Sequence, residues 1–370
     1  MFHFMCILDF RPRESARRAV ALLWMVVAWG TVSPDGLAGD RAREESPRPR
    51  RFLVRGATLH PVAEPAIPHG YLLVRDGRIE FLGQEPPKNA KKIPTLDARG
   101  KHLYPSLIDA DTAIGLVEIE AVRATVDFAE VGPLNPNAKA VTAFNPDSEL
   151  IPVARADGVL LAHSVPRGSF VAGISALMQL DGWTVQDMAL VPQVGLHVRW
   201  PPATYIPAWN VDPALRSGMK RRQELLRMFS VALEDARDAL RNSDELSSHN
   251  GEGHGSTADN NLRLEALRDV VTRKIPVMVH ADELRAIQEA VAFAKTHAVR
   301  LVIVGGYDAP ACADLLKEND VPVIITGTQR LPLRRDSAFD EPFTVPERLR
   351  AAGVHFCIAG FDRFSASAIR

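Results

Sequence analysis

The chain has 370 residues, of which 46% are hydrophobic and 24% charged, and its formal net charge is -1. That balance excludes a chain-wide nucleic-acid surface and a disordered polymer, because it supplies apolar residues for a core and no excess of either charge. The length suits one large α/β barrel or two smaller domains.

Residues 1–39 read as a targeting segment. Arg11, Arg13, Arg17 and Arg18 form a basic start, and "AVALLWMVVAW" (Ala19 to Trp29) is an apolar run too short to span a bilayer comfortably. Gly36-Leu37-Ala38-Gly39 offers small residues to a peptidase. A signal peptide is the first reading and a single membrane anchor the alternative; both export the bulk of the protein, to a periplasm or to the outside. Residues 40–51, "DRAREESPRPRR", form a charged, proline-punctuated linker. Of the three cysteines, Cys6 falls in the removable segment. Cys312 sits in a helical pattern and Cys357 in an apolar strand, so two buried thiols are expected rather than a disulfide, and neither has CxxC spacing.

Folding signals begin at Phe52. "RFLVRGATLHPV" and "HGYLLVRDGRIEFLG" read as strands, the second a hairpin whose Asp76-Gly77 suits a type I′ turn. "KKIPTLDARGKHLYPSLIDA" adds another strand, so a small sheet precedes the main domain. The long polar insert that follows, up to Gly158, has the length of a pocket wall or lid. "DGVLLAHSVPRGSFVAGISALMQL" and "ALVPQVGLHVRWP" hold strand-like runs, and Pro166 to Ala176 reads as a loop lining a pocket. Met219 to Asn242 is a strong helix, and Ser243 to Asn260 reads as a polar surface loop with His249 and His254 in a Gly-rich setting. From Lys274 onward, "IPVMVH", "VRLVIVGG", "VPVIITGT" and "GVHFCIAGFD" alternate with amphipathic helices. This pattern belongs to parallel strands covered on both faces, and right-handed crossovers follow from it. About six β/α units follow Tyr104, most of an eight-unit barrel.

The stretches "VRGATLHPV", "VRDGRIEFLG" and "LDARGKHLYPSLIDADTAIGL" resemble, in order and spacing, the start of the amidohydrolase superfamily, close to its imidazolonepropionase-like members. The resemblance runs from about Phe52 to Arg370. It implies a small N-terminal β-sandwich segment over residues 52–100 and a (β/α)8 TIM-type barrel over 101–370. The barrel would be incomplete, with its last helix and returning sandwich strands missing and an apolar flank left exposed. It also implies hydrolysis of non-peptide C–N bonds in small amides or cyclic amides, by water activated on a divalent metal, zinc first.

In such proteins the first barrel strand ends in His-x-His, two metal ligands. Here those positions are Asp111 and Ala113; a carboxylate still binds metal and a methyl does not. Asp111 is therefore a candidate ligand or a cap of the following turn, and Asp109 shapes that turn. His280, at a strand end in "VMVHADE", matches a ligand position and is a candidate base. Asp282 and Glu283 read as the cap and first-turn acid of the next helix. The next ligand position is Gly305-Gly306, which binds no metal by side chain, and no strand-end lysine offers a bridging carbamate. His197 in "GLHVRW" is a substitute ligand, and Asp362 after the last strand a candidate base for the attacking water. Arg123 and Arg155 are candidates to meet a substrate carboxylate, against surface ion pairing as the commoner role. The competing expectation is an inactive barrel homologue binding a small molecule or partner, with its metal histidines lost.

Overall fold

The computed structural model describes residues 5–8, 50–88, 90–202, 213–249 and 261–360. Most of the targeting segment and the charged linker, as well as His254 and Asp362, lie outside these residues. No helix among the described residues is long and apolar enough to cross a membrane. The chain divides into two units, Met1–Ser106 and Leu107–Arg370.

The first unit holds β1 (Met5–Leu8), β2 (Arg51–Leu59), β3 (Ile67–Arg75), β4 (Arg78–Gly83), β5 (Thr95–Asp97) and β6 (His102–Pro105). Asp76 and Gly77 both take positive φ, 48° and 74°, as the type I′ turn between β3 and β4 requires. The strands make one mixed sheet, not the sandwich expected. The reason lies in β2, which pairs β3 along one edge and offers the other edge to β5 at Leu53–Arg55 and then to β6 at Thr58–Leu59. Strands that would begin a second layer thus join the first. Alternation along β2 and β3 splits the apolar residues between two faces: Val54 and Leu72 join one cluster, Leu53 and Leu73 the other.

The second unit opens with β7 (Leu107–Thr112), α1 (Ala140–Ala143), α2 (Leu150–Ala156), β8 (Val159–Ser164), β9 (Val171–Ile174) and β10 (Ala176–Gln179). Next come α3 (Val185–Met188), β11 (Ala189–Val191), β12 (Leu196–Arg199), α4 (Pro213–His249) and α5 (Leu262–Val271). It ends with β13 (Val277–Ala281), α6 (Leu284–Thr296), β14 (Leu301–Gly305), α7 (Ala313–Glu318), β15 (Val323–Thr326), α8 (Glu341–Ala352) and β16 (Phe356–Ala359). Ser243 to His249, expected in a loop, continue α4 for two further turns.

Strands β12 to β16 run parallel in sequence order, with β9 antiparallel beside β12. A second sheet runs β11-β10-β8-β7, with β7 and β8 parallel. The described ladders thus form two mixed sheets. Ser175 alone separates β9 in one from β10 in the other.

Period-two alternation decides what each strand offers to either side. Val277, Val279 and Ala281 of β13, with Leu301 and Ile303 of β14 and Val323 and Ile325 of β15, pack in a large core with residues of α4 to α8. Phe229 of α4 is fully buried, stacked on Phe293 of α6 at 5.3 Å and edge-on to Phe170 at 6.1 Å. The intervening residues point the other way, where Met278, Val304, Ile324 and Ala359 form a small cluster with Ala110 of β7 against it. His197, Arg199, His280 and Thr326 share that parity: His197 is level with Met278, Arg199 and His280 with Val304 and Ile324, and Thr326 with Ala359. Cys312 is buried as expected, but Cys357 is exposed, as is Ile358 beside it, since β16 is the edge strand of its sheet among the described residues.

Candidate functional site

One cavity of about 810 Å³ opens at the C-terminal strand ends. Asp111 of β7, Arg199 and Trp200 of β12 and its end, His280 of β13, Gly305 of β14 and Thr326 of β15 line it, with Arg167 and Arg330 from loops. The strands are tied together at this level: the Trp200 N–H donates to the His280 carbonyl at 3.1 Å.

Asp111 meets a cation of the protein's own. Arg167 donates from Nη1 to Asp111 Oδ2 at 3.2 Å and from Nη2 to the Asp111 carbonyl at 3.3 Å, and both side chains are at most one-tenth exposed. Thr112, not Asp111, caps the turn that follows, its Oγ1 accepting from the Ile114 N–H at 3.3 Å. Asp109 accepts from the Asp111 N–H at 3.4 Å, as its turn-shaping role requires, and burial pushes its carboxyl above the usual range.

Three histidines crowd beside this pair. His163 and His197 have ring centroids 5.5 Å apart, and His197 and His280 5.1 Å. Hydrogen bonds fix their protons. His163 Nδ1 must donate to the Ala110 carbonyl at 2.8 Å, which leaves Nε2 to accept from Ser175 Oγ at 2.7 Å. His197 Nδ1 and His280 Nε2 share a proton at 2.8 Å, and His197 Nε2 is buried without a partner. The tautomer that buries no unpaired N–H places the proton on His197 Nδ1, so His280 accepts at Nε2 and carries its own proton on Nδ1. Burial holds all three below the usual imidazole pKa, His197 far below and His280 at about 4, so they are neutral at pH 7.

The far wall is an ion-pair lattice. Asp282, expected to cap α6, instead accepts from the Tyr307 N–H and from Arg330 Nη2, both at 3.2 Å. The cap of α6 comes from Asp308, whose Oδ2 accepts from the Leu284 N–H at 3.0 Å. Gly305, at φ 101°, leaves the space the Asp282 carboxylate needs, since a Cβ there would sit 2.8 Å from Asp282 Oδ1. Arg330 also lies over the Tyr307 ring, 5.0 Å from its centroid.

The predicted metal ligands can now be tested as donors. Asp111 and His280 line one cavity and His197 bonds to His280, so the fold brings the three candidates into one neighbourhood. They do not make a metal site in this arrangement. Arg167 already neutralises Asp111, the two imidazoles spend their facing nitrogens on each other, and Ala113 supplies nothing. Among the described residues no group of three or more His, Cys, Asp or Glu side chains is placed to hold a metal ion.

Of the other candidates, Arg123 is exposed in a short 3-10 turn and Arg155 pairs with Asp181 at 3.2 Å on the surface; neither lines the cavity. Sequence reasoning passed over Arg167, His163, Ser175 and Arg330. Arg167 and Ser175 lie in the Pro166–Ala176 stretch read as pocket-lining, and His163 carried a local signal as a lone histidine near the end of the apolar run "VLLAHS".

No protein-family model matches the chain, and no curated protein does. Solved structures do. An amidohydrolase from Thermotoga maritima MSB8 superposes with a TM-score of 0.69 at 23% identity, over 85% of this chain and 79% of that one. The chain therefore shares the fold of that amidohydrolase. Two looser matches are an A. niger ochratoxinase (TM-score 0.39, 12% identity, 84% and 76% covered) and a prolidase complexed with N-methylphosphonate-L-proline (0.38, 15%, 84% and 78%). At those scores neither adds to the argument.

Proposed function

We propose that this amidohydrolase-fold protein binds a small molecule in the strand-end cavity without a resident metal, using a guanidinium–carboxylate pair and neutral imidazoles. The observation that carries this reading is Arg167 on Asp111: a fixed positive charge stands against the one carboxylate that the resemblance offers to a metal. A closed barrel is part of the proposal. Its supports are the single residue between β9 and β10 and the packing of Ala110 against the cluster that holds Ala359.

A second reading, a metal-dependent C–N hydrolase with Asp111, His280 and His197 as ligands and Asp362 as base, has one observation in its favour. Asp111 Oδ1, Asp109 Oδ2 and His197 Nε2 are buried acceptors without partners, and unpaired buried acceptors invite a cation or a donor. Assays on hydantoin and on short N-acyl amides, with and without added zinc or manganese, separate the two readings. We expect no turnover that depends on metal. Metal-dependent turnover that disappears in Asp111→Ala would establish the hydrolase instead.

A further inference from the structure

We infer that a second cavity, at the N-terminal ends of β13 to β16, binds an amphipathic anion, a small apolar body with one anionic head. It lies at the opposite ends of the strands that line the site above, and its volume of about 610 Å³ suits a small molecule. One turn, repeated in three successive β/α units, builds it. Arg273 after α5, Ala298 after α6 and Asp320 after α7 all take positive φ, 62°, 43° and 49°, where the chain passes from helix to strand. Because β13, β14 and β15 are neighbours, Ala298 stands between the other two and offers a methyl where they carry charges. Val302 and Pro322, both half-buried, add apolar wall. Around it stand three cations, Arg273, Lys295 and Arg300, and one carboxylate, Asp320. All four are exposed, and among the described residues none of them is in an ion pair. Nor are the cations spent on the helix ends, whose carbonyls accept from the turns themselves: Arg273 N–H donates to Val270, Ala298 N–H to Lys295 and Asp320 N–H to Lys317, at 3.0, 3.1 and 3.2 Å. Arg300 donates from Nη1 to the Lys274 carbonyl at 3.3 Å, which sets its guanidinium beside the turn that carries Arg273. An anionic head can take charge-assisted hydrogen bonds from these donors, while an apolar body covers Ala298, Val302 and Pro322. His355, the other titratable group in the lining, can only add positive charge.

Fluorescence titration of the full chain with anilinonaphthalene sulfonate, beside its uncharged parent phenylnaphthylamine, tests this. The sulfonate should bind more tightly than the neutral dye, and less tightly as salt rises. Ala298→Asp, which sets a carboxylate in the middle of the cavity, should weaken sulfonate binding about tenfold or more. Aspartate tolerates the left-handed turn and the position is exposed, so this chain still folds. The double variant Arg273→Gln with Arg300→Gln should also weaken binding, and Arg330→Gln, in the other cavity, should leave it unchanged. Equal affinity for the two dyes, no binding of either, undiminished binding in Ala298→Asp or in the double variant, or a comparable loss in Arg330→Gln overturns the inference.

Discussion

Arg167→Met is expected to cost about 3–5 kcal/mol of stability, the range for stripping one partner from a buried ion pair. The side chains of Arg167 and Asp111 are only 10% and 6% exposed, so water cannot take the guanidinium's place cheaply. Asp111 Oδ1 already lacks a partner, and the substitution would leave Oδ2 in the same state. The double variant Arg167→Met with Asp111→Leu removes both charges and should recover most of the loss, because an apolar pair of similar volume avoids the desolvation cost. Urea unfolding of the wild type, the two single variants and the double variant measures this. A cost under about 1 kcal/mol for Arg167→Met, or strict additivity in the double variant, would show that the pair is not a buried unit.

Acid should destabilise the second unit through its histidines. The native His280 has a pKa of about 4 against about 6.5 for a free imidazole, so between those values the unfolded chain binds the proton and the native one resists it. Its stabilising contribution is complete above pH 6.5, falls as the pH drops from 6.5 to 4, and levels off below. On that displacement alone the loss between pH 7.5 and 4.5 is about 2–3 kcal/mol. His163 and His197, also depressed by burial, act in the same direction. Asp109 opposes them: its raised pKa means that its charge costs stability at neutral pH, and acid relieves that cost. Unfolding at the two pH values should show the net loss, and His280→Gln should make it smaller. Equal or greater stability at pH 4.5 would mean that these imidazoles are not held neutral.

Much of the fold was legible because it rests on local patterns. The apolar runs of β13, β14 and β15, each followed by an amphipathic helix, specify parallel strands with one face on helices. Period-two alternation then puts His280 on the inner side. The turn at Asp76-Gly77 was legible for the same reason, since the two residues themselves determine the conformation. The site was legible only where a residue stands at a strand end. Arg167 lies 56 positions from Asp111 and Arg330 lies 48 from Asp282; the stretch around Arg167 reads as a pocket-lining loop, but nothing in it names the arginine or its partner, and nothing near Arg330 distinguishes it from a surface residue. Asp282 was misread as a cap because the turn at Gly305-Gly306, which delivers the Tyr307 N–H to it, is set by the next strand. The sandwich failed on pairing choice: alternation marks β5 and β6 as strands but not which edge they join.

Asp111 gives the most direct test, since the account makes it an arginine's partner where the resemblance would make it a metal's. Zinc titrated by calorimetry into the wild type and into Asp111→Ala decides between the two roles. The account predicts no stoichiometric binding to the wild type that the substitution removes. One zinc bound per chain, and lost in Asp111→Ala, would contradict it.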